Sequence, residues 1–204
     1  MGTALCDRDH SDATLLIAMA KIKGVALIGI VEALRGLRQS AEPRLDPSVR
    51  HYLDTRLLVN NWYPEADYRA LLLALGDHIA DRVPGDVWEF LGEEGAKAQF
   101  KDVYAMAVRP GDPGATLKRA ATTWSLYHDT GRVEVDLSGG GEHATLKLHD
   151  YPLACTKLCS TTTGYVRQLV VQAGGRNVQV RMTACPPHGT APVVWESHWQ
   201  LPSD

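Results

Sequence analysis

Hydrophobic residues recur at helical spacing through roughly the first two thirds of the chain. Gly24 is expected to separate one apolar helix from the stretch before it, and Pro64 suits the first position of another after a turn at residues 60–64. A further helical stretch is interrupted around Gly92–Gly95. The pattern predicts helices at residues 25–37, 48–59, 65–83, 87–108 and 115–129.

Beyond residue 130 the pattern changes to strict alternation of apolar and polar residues, which is typical of half-buried strands. Two hairpins flank a stretch with helical spacing at residues 153–173. The predicted fold class is α+β in one domain, residues 1–204. A helical part, residues 1–128, precedes a four-stranded antiparallel sheet in β-β-α-β-β order, residues 129–204. The strands are predicted near residues 132–138, 143–149, 176–184 and 192–199.

Composition and charge argue against several classes of protein. The chain has 204 residues, of which 45% are hydrophobic, and a formal net charge of -3, so it lacks the basic footprint of a general nucleic-acid-binding protein. The longest apolar run, VALIGIV, is too short to span a bilayer, and no signal peptide is evident. Four irregularly spaced cysteines do not form a secreted disulfide framework. We therefore expect a cytoplasmic protein with reduced thiols and no nucleic-acid or membrane partner.

Three stretches carry a resemblance to a known superfamily. KGVALIGIVEALRGL is similar to the opening helix of heme domains, and VWEFLGEEGAKAQF to a helix that ends at glycine before an aromatic-bearing helix. CSTTTGYVRQLV, with CPPHG and VVWESHW, is similar to the end of 4-vinyl-reductase domains. The chain thus resembles the superfamily of heme nitric-oxide/oxygen-binding domains, 4-vinyl-reductase domains and TRAPP trafficking subunits, and most resembles a myxobacterial family of similar length. The resemblance implies the fold order given above and members that bind heme, aromatic effectors or only proteins.

The resemblance also implies a zinc site near the last hairpin. Tetrahedral zinc needs four ligands, and the candidates here are Cys155, Cys159, Cys185 and His188. Two positions of the family's ligand pattern hold Met182 and Val193, which cannot bind zinc. Buried cysteines are also ordinary core residues. We therefore expect no tightly bound metal.

Heme is not expected either. The heme domains need a histidine ligand on a helix and a Tyr-x-Ser-x-Arg run that anchors the propionates. The chain has no such run, and its helical histidines, His78 and His128, suit an exposed face and a helix end.

Catalytic motifs give no stronger signal. The polar run YHDTGR groups Tyr127, His128, Asp129 and Arg132, but such residues are ordinary where a helix passes into a strand. The glycines of SGGGEH lie between two strands, where a hairpin turn is favoured over a phosphate-binding loop. We expect that the protein is not an enzyme.

Two hypotheses remain for the function. The first is a regulatory or scaffold module of bacterial signalling that binds another protein, or a second copy of itself, through Trp195 and Trp199 on the last strand. Packing of these two side chains in the core is the alternative. The second hypothesis is a sensor that binds an apolar or aromatic effector between the helices and the sheet. The residues predicted to line that pocket are Trp88, Phe90, Phe100, Tyr104 and Trp124.

Overall fold

A computed structural model describes residues 18–100, 105–137, 141–186 and 191–202. Helices form the N-terminal part, as the hydrophobic spacing predicts. The α-helices are α1 (Gly24–Gly36), α2 (Arg38–Ala41), α3 (Glu65–Ile79), α4 (Val87–Gln99), α5 (Pro113–Tyr127) and α6 (Thr156–Gln172). Single turns of 3₁₀-helix occupy Glu42–Arg44, Ala80–Arg82 and Ala105–Ala107, and a longer one covers Pro47–Leu53.

Six strands form two antiparallel sheets in the part of the chain that the structure describes. The strands are β1 (Lys21–Lys23), β2 (Trp62–Pro64), β3 (Arg132–Asp136), β4 (His143–His149), β5 (Arg176–Ala184) and β6 (Val193–Gln200). The larger sheet has the spatial order β3-β4-β6-β5, and α6 connects its two hairpins. The mixed helix-and-sheet class and the four predicted strands are confirmed, because alternation is an unambiguous signal for strands buried on one face.

The prediction of a single sheet is wrong, because β1 and β2 pair with each other in a second, two-stranded sheet. The sequence predicts no strand at the first of these segments and a turn at the second, since a strand of three residues is too short to show alternation. The pairing of β1 with β2 stops at Gly24, where α1 begins. A Cβ at Gly24 would lie 2.2 Å from the carbonyl oxygen of Leu58, so only glycine fits there.

The core of the C-terminal part lies between the larger sheet and α6. Inward-facing residues of the central strands alternate with polar residues on the opposite face, as Leu146 and its cross-strand partner Trp195 illustrate. The indole N–H of Trp195 reaches α6, where it donates to the carbonyl oxygen of Cys159 (3.3 Å) and to the hydroxyl of Thr163 (3.1 Å). This fixes the helix on the sheet.

Helices α4 and α6 approach each other closely through two glycines. A Cβ at Gly92 would lie 1.8 Å from the carbonyl oxygen of Thr161, and one at Gly164 would lie 1.8 Å from that of Glu89. The guanidinium of Arg167 bridges the same two helices by donating to Glu89 and Glu93. The predicted interruption of α4 around Gly92–Gly95 is therefore wrong: Gly92 lies inside one continuous helix, and close helix packing is the reason for it.

Within the described residues, no helix has both the length and the apolar character that are needed to cross a membrane.

The close contact of α4 with α6 predicts a large difference between two neighbouring glycine substitutions. Gly92→Ala should lower the free energy of unfolding by about 3 kcal/mol, because the new methyl group meets backbone atoms that cannot move aside. Gly95→Ala, on the same helix with open space around the glycine, should raise it by up to about 1 kcal/mol. Urea unfolding followed by circular dichroism measures both; equal effects would contradict this packing.

Candidate functional site

The side chain of Glu65 lies fully buried where the helical part meets the sheet. Its Oε1 accepts hydrogen bonds from two residues of the C-terminal half: the ring Nδ1 of His128 (2.6 Å) and the hydroxyl of Tyr151 (2.7 Å). Trp124 completes this group of residues by stacking on the His128 ring, with 3.8 Å between centroids and 9° between planes. We call Glu65, Trp124, His128 and Tyr151 the Glu65 cluster.

Local structure explains how these four side chains meet. Glu65 is the first residue of α3, directly after β2, and its amide donates to the carbonyl oxygen of Ala20 (2.8 Å). His128 ends α5 and forms an isolated antiparallel bridge with Ile22 of β1. Tyr151 follows β4. The short strand β1 therefore lies between the segments that carry the carboxylate and the histidine.

Backbone contacts reinforce the same junction. The amide of Lys21 donates to the carboxylate of Asp129 (2.6 Å), and the amide of Asp129 donates to the carbonyl oxygen of Lys21 (3.1 Å). The indole N–H of Trp124 donates to the carbonyl oxygen of Thr130 (2.9 Å). Asp129 thus acts as a backbone-binding residue at this junction.

The electrostatics of the cluster are those of a buried negative charge. Burial, followed by the charge of Glu65 and its hydrogen bond, raises the pKa of Tyr151 well above the usual value, so the phenol stays protonated and donates. Burial, with the charge of Glu65 adding to it, likewise raises the pKa of Tyr68. The second carboxylate oxygen, Oε2 of Glu65, is buried and accepts no hydrogen bond from the described residues. Buried polar atoms without a partner are uncommon in native structures.

The cluster reaches the surface on one side. The side chain of His128 is 15% exposed to solvent, whereas the side chain of Glu65 is not exposed. The carboxylate is therefore separated from solvent by the imidazole and the indole stacked on it.

The residues predicted to line one aromatic pocket do not come together. Trp88 covers Gly76 on α3 and lies under the Lys157 ammonium group, 4.7 Å from it, and Phe90 is 38% exposed. Phe100 is in the core of the C-terminal part, edge-on to Tyr165. Of the predicted residues, Trp124 alone is in the Glu65 cluster, and Tyr104 lies outside the described residues. The prediction of a shared pocket for Trp88, Phe90 and Phe100 is wrong, because these residues of α4 and its C-terminal cap point in different directions from one helix.

Trp195 and Trp199 are not a surface anchor. They share one side of β6, as predicted, but only 2% and 3% of their surfaces are exposed. That side faces α6, so the predicted role as partner-binding residues is wrong and packing in the core is correct.

The four zinc candidates do not form a ligand set within the described residues. Cys155 precedes α6 and packs with Leu72 and Leu158, whereas Cys159 lies in the core of the C-terminal part, against which the partly buried Cys185 packs. His188 lies outside the described residues. Among the residues that are described, no group of three or more histidine, cysteine or acidic side chains is arranged to hold a metal ion.

A cavity of about 540 Å³ lies elsewhere, open to solvent on the N-terminal helical part. Its walls are largely charged, unlike the apolar pocket that the sequence predicts. It is lined by Ile28, Glu32, Arg35, Leu53, Asp54, Arg56 and Leu57.

Sequence reasoning missed the most buried members of the site. Glu65 and Tyr151 lie in no motif, and only the position of Glu65 at the predicted start of a helix could have drawn notice. The sequence identifies His128 and Trp124 as candidate residues, but it does not show that the tertiary fold brings Glu65 and Tyr151 into contact with His128.

Solved structures share this fold. An oxygen-binding H-NOX domain related to soluble guanylate cyclases aligns with a TM-score of 0.63 at 12% identity, over 89% of this chain and 96% of that one. The Fe(II) unliganded H-NOX protein from K. algicida aligns with a TM-score of 0.62 at 10% identity, over 89% and 98% of the two chains. The H-NOX protein from S. oneidensis in the Fe(II)NO state gives 0.57 at 13%, over 88% and 99%.

Sequence comparisons add nothing to this likeness. No protein-family model matches the chain, and no curated protein sequence matches it. The structural matches show that the chain has the H-NOX fold, which confirms the fold that the resemblance to heme domains implies; the 4-vinyl-reductase and myxobacterial parts of the resemblance stay predictions.

Two further solved structures with this fold concern heme and its distortion. Holding the Nδ1 of a histidine by a carboxylate, as Glu65 holds His128, is common where the other ring nitrogen binds a metal. The rest of the cluster does not fit heme. Trp124 and Tyr151 already pack against the imidazole, and the buried group beside it is a carboxylate, which cannot pair with the acid groups of heme.

The buried carboxylate predicts a strong effect of its removal on stability. Glu65→Ala should lower the free energy of unfolding by about 3 kcal/mol, because it leaves the Tyr151 hydroxyl and the His128 ring without their acceptor. Glu32→Ala, at an exposed position on α1, should change it by less than about 0.5 kcal/mol. Urea unfolding curves measure both, and similar small effects would show that the cluster contributes little to the junction.

Proposed function

We propose that this chain is a sensor domain without catalytic activity, which binds a small effector at the Glu65 cluster and passes the change to a partner protein. The observation that carries the proposal is the unused, buried Oε2 of Glu65 at the junction of the helical part and the sheet. A buried charge that is only partly hydrogen-bonded costs stability, and such groups concentrate at functional sites. An effector that donates to Oε2 recovers that cost.

The side chains around the carboxylate indicate the chemistry of the effector. Trp124, His128 and Tyr151 supply aromatic rings, and Oε2 supplies a hydrogen-bond acceptor. A small aromatic molecule with one N–H or O–H donor matches both features. The partly exposed imidazole of His128 is the side from which such a molecule would enter.

The position of Glu65 explains how binding would be transmitted. Strand β2 ends directly before Glu65, and the carbonyl oxygens of Val59 and Asn61 accept from the amides of Val25 and Gly24 at the start of α1. Leu58, Val59 and Trp62 on this segment are between 42% and 49% exposed. A shift of Glu65 would move the apolar surface formed by Leu58, Val59 and Trp62. We propose this surface, in place of Trp195 and Trp199, as the one that binds the partner protein.

Thermal unfolding in the presence of three probes, phenol, indole and benzylamine, tests the effector site. At a concentration about 100 times its Kd, a probe that binds only the folded protein should raise Tm by about 5–10 °C. Glu65→Gln should abolish this rise in Tm, because the glutamine side chain would present an N–H donor where the effector needs the acceptor Oε2.

Glu32→Gln serves as the matched control, since it removes one exposed carboxylate that is not part of the cluster and should keep the full rise. The proposal is wrong if none of the three probes shifts the wild type, or if Glu65→Gln responds to a probe as the wild type does.

An absorption spectrum decides between this effector and heme. Because the cluster does not fit heme, the purified protein mixed with one equivalent of hemin should show no sharp Soret band. A sharp band that disappears in His128→Ala would establish heme ligation by His128 and replace the effector proposed above.

A further inference from the structure

Two histidines meet on the outer face of the larger sheet. His143 of β4 and His198 of β6 are register partners, and their ring centroids lie 4.4 Å apart with the planes inclined at 41°. Their neighbours in the two strands, Ala144, Ser197 and Trp199, are buried on the face that α6 covers. Because successive side chains of a strand point to opposite faces, the two imidazoles lie on the solvent side.

The strand register holds the two histidines close together. The amide of Trp199 donates to the carbonyl oxygen of Glu142 (3.0 Å), which places a hydrogen-bonded rung directly beside the pair. His143 and His198 therefore form a non-hydrogen-bonded pair, the arrangement in which opposite side chains of an antiparallel sheet lie closest. Strands β4 and β6 are the two central strands of the sheet, so the backbone under the pair is fixed on both sides.

The ring nitrogens of this pair are unused. Every other histidine that the structure describes shares a ring nitrogen in a hydrogen bond with an oxygen of Ser48, Ser40, Glu65 or Glu134; these histidines are His51, His78, His128 and His149. The rings of His143 and His198 have no hydrogen-bond partner among the described residues, and their contact is with each other. Two imidazoles with free nitrogens side by side are suited to bind a metal ion, since neutral imidazole is the commonest metal ligand in proteins.

The separation of the rings matches one class of metal site. If a metal ion binds two imidazoles at a right angle, with metal–nitrogen bonds of about 2.1 Å and each ring centre about 1.1 Å behind its nitrogen, the centroids lie about 4.5 Å apart. The same bonds at a tetrahedral angle place the centroids about 5.2 Å apart. The separation of 4.4 Å therefore fits ligands at a right angle, which are typical of square-planar and tetragonal Cu²⁺ or Ni²⁺.

We propose that His143 and His198 bind one Cu²⁺ ion in neighbouring positions of a tetragonal site. Among the divalent metals of the first row, Cu²⁺ binds a given set of nitrogen ligands most tightly. His198 is exposed, so water fills the remaining positions of the ion. The site goes beyond the effector proposed above and shares no residue with the Glu65 cluster.

Electron paramagnetic resonance of the full chain tests the proposal. The accessible thiols are first blocked with N-ethylmaleimide, because thiols reduce Cu²⁺, and less than one equivalent of Cu²⁺ is then added. The spectrum should show a tetragonal ion with two nitrogen ligands. His143→Ala and His198→Ala should each remove this spectrum and weaken Cu²⁺ binding about 100-fold, because the second ring no longer binds the same ion.

His51→Ala is the matched control. His51 is also exposed, but its Nδ1 is hydrogen-bonded to the carbonyl oxygen of Ser48 and it faces no second histidine. This variant should keep the two-nitrogen spectrum and the affinity of the wild type. Zn²⁺ should compete only weakly with Cu²⁺, because it forms weaker bonds to nitrogen and takes a tetrahedral geometry. The proposal is overturned if the wild type gives no two-nitrogen spectrum, or if either variant of the pair keeps that spectrum.

Paramagnetic broadening in the wild type gives a test that does not depend on how the variants fold. A small amount of Cu²⁺ should broaden the backbone amide signals of His143 and His198 before those of His51 and His149. Broadening that begins at any other histidine or at a cysteine, and reaches the pair later, would show that the ion binds elsewhere and would overturn the assignment.

Discussion

The carboxylate of Glu65 holds together segments that are far apart in the sequence. Glu65 lies at the start of α3, and its Oε1 accepts hydrogen bonds from His128 at the end of α5 and from Tyr151 after β4. Its backbone amide donates to the carbonyl oxygen of Ala20, just before β1. A buried carboxylate is costly to desolvate, so its hydrogen bonds must form together for the junction to be stable. The relation of the helical part to the sheet therefore depends on a polar contact, where the sequence predicted an apolar pocket.

Alternation and helical spacing predicted much of the fold. The strands of the larger sheet, the connecting helix and the main helices follow from patterns that act over many residues. The two-stranded sheet was missed because β1 and β2 have three residues each, too few to display a period. The sequence predicts an interruption at Gly92 because it does not show which neighbour touches a glycine. In the structure, the backbone of α6 packs against Gly92.

The candidate site was less predictable, for a physical reason. Aromatic residues such as Trp88, Phe100 and Trp124 were grouped by type, but the direction in which each side chain points depends on how its helix packs. Trp195 and Trp199 were correctly placed on one side of a strand, but which side is buried depends on where α6 lies. Glu65 and Tyr151 become significant only when residues 65 and 151 meet, a contact that no local pattern encodes.

The H-NOX fold does not by itself identify the ligand of this chain. Structural likeness at 10–13% identity establishes the architecture, whereas the ligand depends on the residues that line the site. Here those residues pair a histidine with a buried carboxylate and cover it with an indole. For that combination we propose a small aromatic donor rather than a porphyrin.

An effector that reaches Glu65 should alter the junction around it. Nitrogen-detected NMR of the His128 ring, with backbone amide spectra, measures this directly during titration with phenol, indole or benzylamine. The account predicts that the Nδ1 resonance of His128 moves together with amides of β1 and of the segment around Tyr151. A titration in which the His128 ring and these amides stay unchanged while other residues shift would contradict it.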